Sequence, residues 1–188
     1  MDPLAQLDHV GPVLGAVVAG IGPDDLDRPT PCEQFTVRGV LEHMVGGATA
    51  FAAAFRSRPA PAEADVAQGD GVLAAFGPVL GDLLAAMNEP GALDRTVEAP
   101  FGEVPGDTFA RFIALDGLLH GWDLATATGQ PYDPPTALVA EVTAFAEGAL
   151  DPLRDGATFK AAVDAPAGAT PIERLAAYSG RQLQGVGR

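Results

Sequence analysis

The sequence predicts an all-α fold, a bundle of four long helices with a small C-terminal appendage. Three observations carry that expectation. Apolar residues recur at i, i+3, i+4 and i+7 along four long stretches. Clusters of Pro and Gly stand between those stretches and stop them. Only residues 93–107 break the spacing with short β-favouring pieces, Arg95–Glu98 and Glu103–Val104, which fit a small hairpin or an extended loop. With 188 residues, 47% of them apolar, the chain can bury a full core as one domain, 1–188.

The first helix is expected over residues 2–20, with Asp2 as its cap and Pro3 at the first helical position. Leu4, Leu7, Val10, Leu14, Val17 and Val18 form its stripe, and Pro12 should kink it. His9 reads as a surface histidine at the edge of that stripe. Residues 22–35 are a turn-rich connector. Within it, Thr30-Pro31-Cys32-Glu33 has the form of a capping box with Pro at the first helical position. The second helix begins at Thr36 and runs to about Arg56, with a core stripe from Val37 to Phe55. His43 falls outside that stripe, among Gly39, Gly47, Ala50 and Ala54, whose small side chains leave room for a close helix or a ligand.

Residues 57–69 read as a Pro- and Ala-rich loop and 70–88 as the third helix, kinked at Pro78, with Gly91 as a stop signal. The fourth helix spans about Asp107–Thr128 and ends at Gly129-Gln130-Pro131; a fifth covers about Pro135–Leu150. The appendage, about 151–188, holds an extended piece (Phe159–Val163) and a short helix (Ile172–Tyr178) closed by Gly180.

A net charge of −14 argues against nucleic acid and anionic membrane surfaces as partners. Cys32 is the sole cysteine, so neither an internal disulfide nor a cysteine cluster for zinc can form, and the thiol is expected to pack. The start, Met-Asp-Pro, lacks the features of a signal peptide, and the longest uncharged apolar stretch, Val10–Pro23, is 14 residues. A cytoplasmic protein is therefore expected. There is no Gly-rich phosphate loop and no nucleophile elbow.

The chemistry concentrates in Asp116–Leu124, D-G-L-L-H-G-W-D-L. Asp116 and His120 lie one helical turn apart on one face, and Asp123 is about 60° from His120 on the same wheel. Trp122 is roughly 160° away from His120 and reads as packing. Asp116 and His120 form a natural two-ligand pair, with His43 from another helix as a third donor. Two imidazoles and a carboxylate suit Zn²⁺, Ni²⁺ or Fe²⁺ with a position left for water or substrate. Asp123 would then support an imidazole N–H, or lie on the helix surface. The same residues also fit an acid–base pair without metal, or a satisfied core pair.

Three stretches carry a family resemblance. Thr30 to Arg38 (TPCEQFTVR), followed by Leu41 to Gly47 (LEHMVGG), resembles the first signature of the DinB-like metal-binding proteins. It is closest in form to the actinobacterial branch related to the N-terminal domain of mycothiol-dependent maleylpyruvate isomerase. Asp116, one turn before His-x-Trp-Asp-Leu-Ala, resembles the second signature. Pro171-Ile172-Glu173-Arg174-Leu175 with Ser179-Gly180-Arg181 is similar to that branch's closing segment. The resemblance covers nearly the whole chain. It implies a DinB-like up-and-down four-helix bundle with a divalent metal on His43, Asp116 and His120. Relatives in the isomerase group commonly have Glu at the position of Asp116, and Asp is one methylene shorter. They also carry a further C-terminal domain for which this chain is too short, so the isomerase activity itself is not carried over.

The expected function is that of a metal-dependent transferase or isomerase acting on a small molecule, with zinc the first choice of metal and nickel or iron as alternatives. A low-molecular-weight thiol such as mycothiol is the co-substrate that the resemblance implies. A non-catalytic small-molecule or metal-binding module, and a metal-free enzyme using the same pocket, stand as the alternatives. A homodimer is left open.

Overall fold

The structure, a computed structural model, describes residues 1–62, 67–154 and 159–183. Parts of two expected segments, the loop 57–69 and the appendage 151–188, therefore lie outside the described residues. The molecule is mostly helical. Among the described residues, six α-helices, α1 (Pro3–Ala19), α2 (Val37–Phe55), α3 (Val72–Met87), α4 (Gly106–Thr128), α5 (Thr136–Ala149) and α6 (Pro171–Tyr178), accompany a two-stranded sheet of β1 (Thr96–Ala99) and β2 (Gly102–Pro105).

Local chemistry explains most of the boundaries. The Asp2 side chain accepts from the Ala5 N–H and Thr36 accepts from the Gly39 N–H, each satisfying a donor that the first helical turn leaves free. Gly129, at φ 70°, closes α4 in the left-handed conformation that glycine adopts without a Cβ penalty. α1 runs through Pro12 and α3 through Pro78.

Two local expectations are corrected. Thr30 caps no helix; its hydroxyl lies within hydrogen-bonding distance of the carbonyls of Cys32 (3.0 Å) and Phe35 (2.8 Å). The segment folds as a tight loop, closed by the Phe35 N–H on the Cys32 carbonyl and by a bridge between Pro29 and Thr36. Gly91 does not end α3. That helix stops at Met87 with Asn88 as its cap, and Gly91, at φ 73°, serves the turn after it.

The long helices pack chiefly in two pairs, α1 on α4 and α2 on α3, with α2 also meeting α4 and α1 meeting α3. Gly117 permits a close α1–α4 approach, since a Cβ there would stand 2.8 Å from the Val10 side chain. Helices α5 and α6 pack on α4, and the hairpin packs on α2 and α4. α4 is thus enclosed on most sides, and fifteen of its residues are buried. That is why His120 and Asp123 on this helix sit in the interior rather than on a wet face. Trp122 is buried at 8% exposure, as a packing residue should be, and His9 is exposed. No helix among the described residues is long and apolar enough to cross a membrane.

Candidate metal centre

α2 and α4 bring His43, Asp116 and His120 together, with one donor atom from each lying within 4.8 Å of the others. Asp116 Oδ1 stands 3.7 Å from His43 Nε2 and 3.4 Å from His120 Nε2. Two metal–ligand bonds of about 2.0–2.1 Å at a tetrahedral angle separate their donors by about 3.4 Å, so these spacings suit a shared cation. His43 and Asp116 are open to solvent, with side chains 41% and 42% exposed, whereas the His120 side chain is 5% exposed. His43 is accordingly not a core histidine. The room left by small residues near it is partly taken by aromatic rings. Phe35 lies against Gly39 and stacks on the His43 ring at 5.3 Å, and Phe51 lies against Gly47.

Behind His120 stands a second layer. Asp123 Oδ2 lies 3.0 Å from His120 Nδ1, and the Asp123 side chain is fully buried. Asp123 is therefore no surface acid. Arg181, in the segment after α6, donates to both Asp123 oxygens at 2.8–3.0 Å and to the Ser179 hydroxyl at 2.9 Å. Gly180 makes this reach possible. It has φ 92°, and a Cβ there would stand 3.0 Å from the carbonyls of Lys160 and Ala161.

The electrostatics follow from this arrangement. Burial alone would raise the carboxyl of Asp123, but the Arg181 guanidinium and the His120 contact outweigh it and hold the group below its usual range. Burial likewise works against Asp116, yet attraction to His120 and His43 brings that carboxyl down to about 2. The Asp116 carboxylate in turn holds the His43 imidazole above its ordinary value, with desolvation opposing. Burial pushes the Cys32 thiol up, which disfavours its nucleophilic form.

An ionised Asp123 only accepts hydrogen bonds, so the proton between it and His120 resides on Nδ1. In the neutral imidazole, Nε2 then presents a lone pair toward Asp116 Oδ1, 3.4 Å away. Two acceptors facing each other at that distance repel unless a proton or a metal cation lies between them. The residues thus fit a divalent metal in number, type and spacing.

Beside the donors opens a cleft of 260 Å³ whose lining includes His43, Asp116, His120, Cys32, Gln34 and Arg181, together with several phenylalanines. The structure brings together the three side chains that the sequence offers as ligands. Sequence reasoning left Arg181 without a role. The signal available was the polar triplet Ser179-Gly180-Arg181 beside a carboxylate that helix packing would bury. Phe35 and the hairpin residue Phe101 also gave no sign of facing the site.

A family model described as the mycothiol maleylpyruvate isomerase N-terminal domain matches residues 7–125, which include all three candidate ligands and Asp123 but not Arg181. The chain is similar to two uncharacterized proteins of Mycobacterium tuberculosis, from strains CDC 1551 / Oshkosh and ATCC 25618 / H37Rv. Each is 34% identical over 189 residues, spanning 98% of this chain and 100% of the relative. No solved structure matches.

Proposed function

This chain belongs to the family of the mycothiol maleylpyruvate isomerase N-terminal domain, and from that premise we propose that it is a metal-dependent enzyme of the transferase or isomerase class, acting on a small molecule. His43, Asp116 and His120 would hold the metal, zinc before nickel or iron. The observation that carries the reading is the convergence of His43, Asp116 and His120, one donor atom from each within 4.8 Å of the others, with His120 Nδ1 in contact with Asp123.

A metal held there would supply Lewis acidity, lowering the pKa of a bound thiol or water or polarising a carbonyl. The chain's own residues do the rest. Asp123 and Arg181 fix the tautomer and angle of His120, a buried support of the kind metal-binding histidines require. His43, at the exposed edge, leaves one side of the site open to substrate. A low-molecular-weight thiol, of which mycothiol is the one in the family's description, is the co-substrate we assign. The up-and-down course of the four long helices belongs to the same reading, supported by the α1–α4 and α2–α3 pairing.

The test is metal titration of the full chain. About one Zn²⁺ per chain is expected. His43→Ala should lower affinity about 100-fold or more, since loss of an outer partner alone costs 10–100-fold. A chain that takes up none of Zn²⁺, Ni²⁺ and Fe²⁺ overturns the proposal. A second reading rests on the Asp116–His120 contact alone, with the two as an acid–base pair. It predicts activity that survives removal of the metal.

A further inference from the structure

The cleft beside the candidate ligands joins those polar donors to a lining that is mostly apolar and rich in phenylalanine. Phe101 stands at the tip of the β1–β2 hairpin, 36% exposed, one of two large apolar side chains so placed among the described residues. It leans toward α4, with its ring 4.7 Å from Phe112 and 6.2 Å, edge-on, from Phe109. Phe51, from α2, meets Phe109 edge-to-face at 4.8 Å. Phe35 stacks on His43 and stands edge-on to His120. These rings come from separate elements, α2, the hairpin, α4 and the loop before α2, and all of them line one cavity with the metal donors.

Polar groups on the walls are few and mostly engaged. Arg181 is occupied by Asp123 and Ser179, and the carboxylate and imidazoles face one another at the metal end. An anion would therefore find little to bind along the walls. A flat ring would find the faces and edges of several phenylalanines to pack against. The volume bears on size. An apolar cavity of about 150 Å³ accommodates benzene, and this cleft offers 260 Å³. One ring with a short polar head fits that space.

We infer that the substrate carries an aromatic ring, which packs against the wall formed by Phe101, Phe112, Phe109 and Phe51 while its polar head reaches His43, Asp116 and His120. The inference rests on the metal reading for the placement of the head but not for the binding of the ring. Phe101 would be a specificity residue. The hairpin holds it over the cleft through a two-residue turn, Pro100-Phe101, followed by Gly102 at φ 113°.

The test separates the two readings. On the zinc-loaded full chain, calorimetry compares acetohydroxamic acid, which offers only a metal-binding head, with benzohydroxamic acid, which adds the ring. At least a tenfold advantage for the ring is expected. It should fall several-fold in Phe101→Ala, at an exposed position where folding is not at risk, and in Phe112→Ala. Equal affinities within about twofold, or an advantage unchanged in both variants, overturn the inference while leaving the metal reading intact. On the metal-free chain, toluene followed by saturation-transfer NMR asks about the ring alone. Transfer weakened by Phe101→Ala supports the aromatic cleft even if the chain takes no metal, and no transfer overturns it.

Discussion

Asp116 and Asp123 are two carboxylates on one helix, one on each side of His120 in sequence, and they have opposite situations. Asp116 is 42% exposed and keeps 3.4–3.7 Å from both imidazoles. Asp123 is fully buried, lies 3.0 Å from His120 Nδ1 and is clamped at both oxygens by Arg181. One carboxylate has coordination capacity to spare; the other has none. The difference does not come from residue type or helix position, since both lie within about a turn of His120. It comes from what packs over each. The α6 segment covers Asp123 and delivers a cation to it, while Asp116 opens on the cleft. A helix of uniform chemistry thus acquires a ligand side and a supporting side through its neighbours.

The sharpest way to break this contrast is to remove the clamp. Arg181→Ala leaves a buried carboxylate whose remaining side-chain partner among the described residues is the His120 N–H. Deleting one member of a buried pair costs about 3–5 kcal/mol. Urea unfolding of the metal-free chain should show a loss of that order, and zinc affinity should fall as His120 loses its support. Replacing both partners, Arg181→Met with Asp123→Leu, should recover much of the stability and none of the metal affinity. If Arg181→Ala is as stable as the parent, Asp123 is not held as described.

A third polar side chain shows what burial without a partner costs. Gln6, in α1, is 1% exposed, and neither end of its amide has a hydrogen-bond partner. An unpaired buried polar group costs roughly 1–3 kcal/mol. Gln6→Met keeps the shape and removes the polarity, so it should raise the unfolding free energy by about 1 kcal/mol. Denaturant midpoints at equal slope would measure it. A lower midpoint would mean that the amide is satisfied, for instance by an internal water.

Much of this contrast was beyond reach in the sequence, and the reasons are physical. Helical period and stop signals locate α1, α2, α3 and α4 to within about two residues, because burial of one face writes a regular pattern. Local chemistry is less decisive. Thr30-Pro31-Cys32-Glu33 and Thr170-Pro171-Ile172-Glu173 have the same pattern, yet only the second is a capping box, with Glu173 accepting from the Thr170 N–H. What differs is the continuation. Ile172, Leu175 and Ala176 give α6 a face to bury, whereas Gln34-Phe35-Thr36 offers no such stripe. His43, Asp116 and His120 were legible because two of them share a helix turn and the third sits among small residues. Arg181 was not, because 58 residues separate it from Asp123 and no periodic pattern spans that gap.

The smallest effect probes the exposed side of the comparison. In the metal-free chain the Asp116 carboxylate holds the His43 imidazole above its ordinary value of 6.5. A raised folded pKa means that protonated His43 stabilises the fold. That contribution is complete below the unfolded value near 6.5 and is lost as pH rises through the folded midpoint. NMR titration of His43 should therefore show a midpoint above 6.5 in the parent. In Asp116→Asn the midpoint should fall, because desolvation and the Arg181 charge, which both lower it, are then unopposed by the carboxylate. Since both side chains are near 40% exposed, solvent screens the pair and the change in stability will be slight even where the change in midpoint is clear. A His43 midpoint that does not move would show that the two side chains do not face each other in solution. The ligand side of α4 would then lack the geometry that distinguishes it from the side held by Asp123.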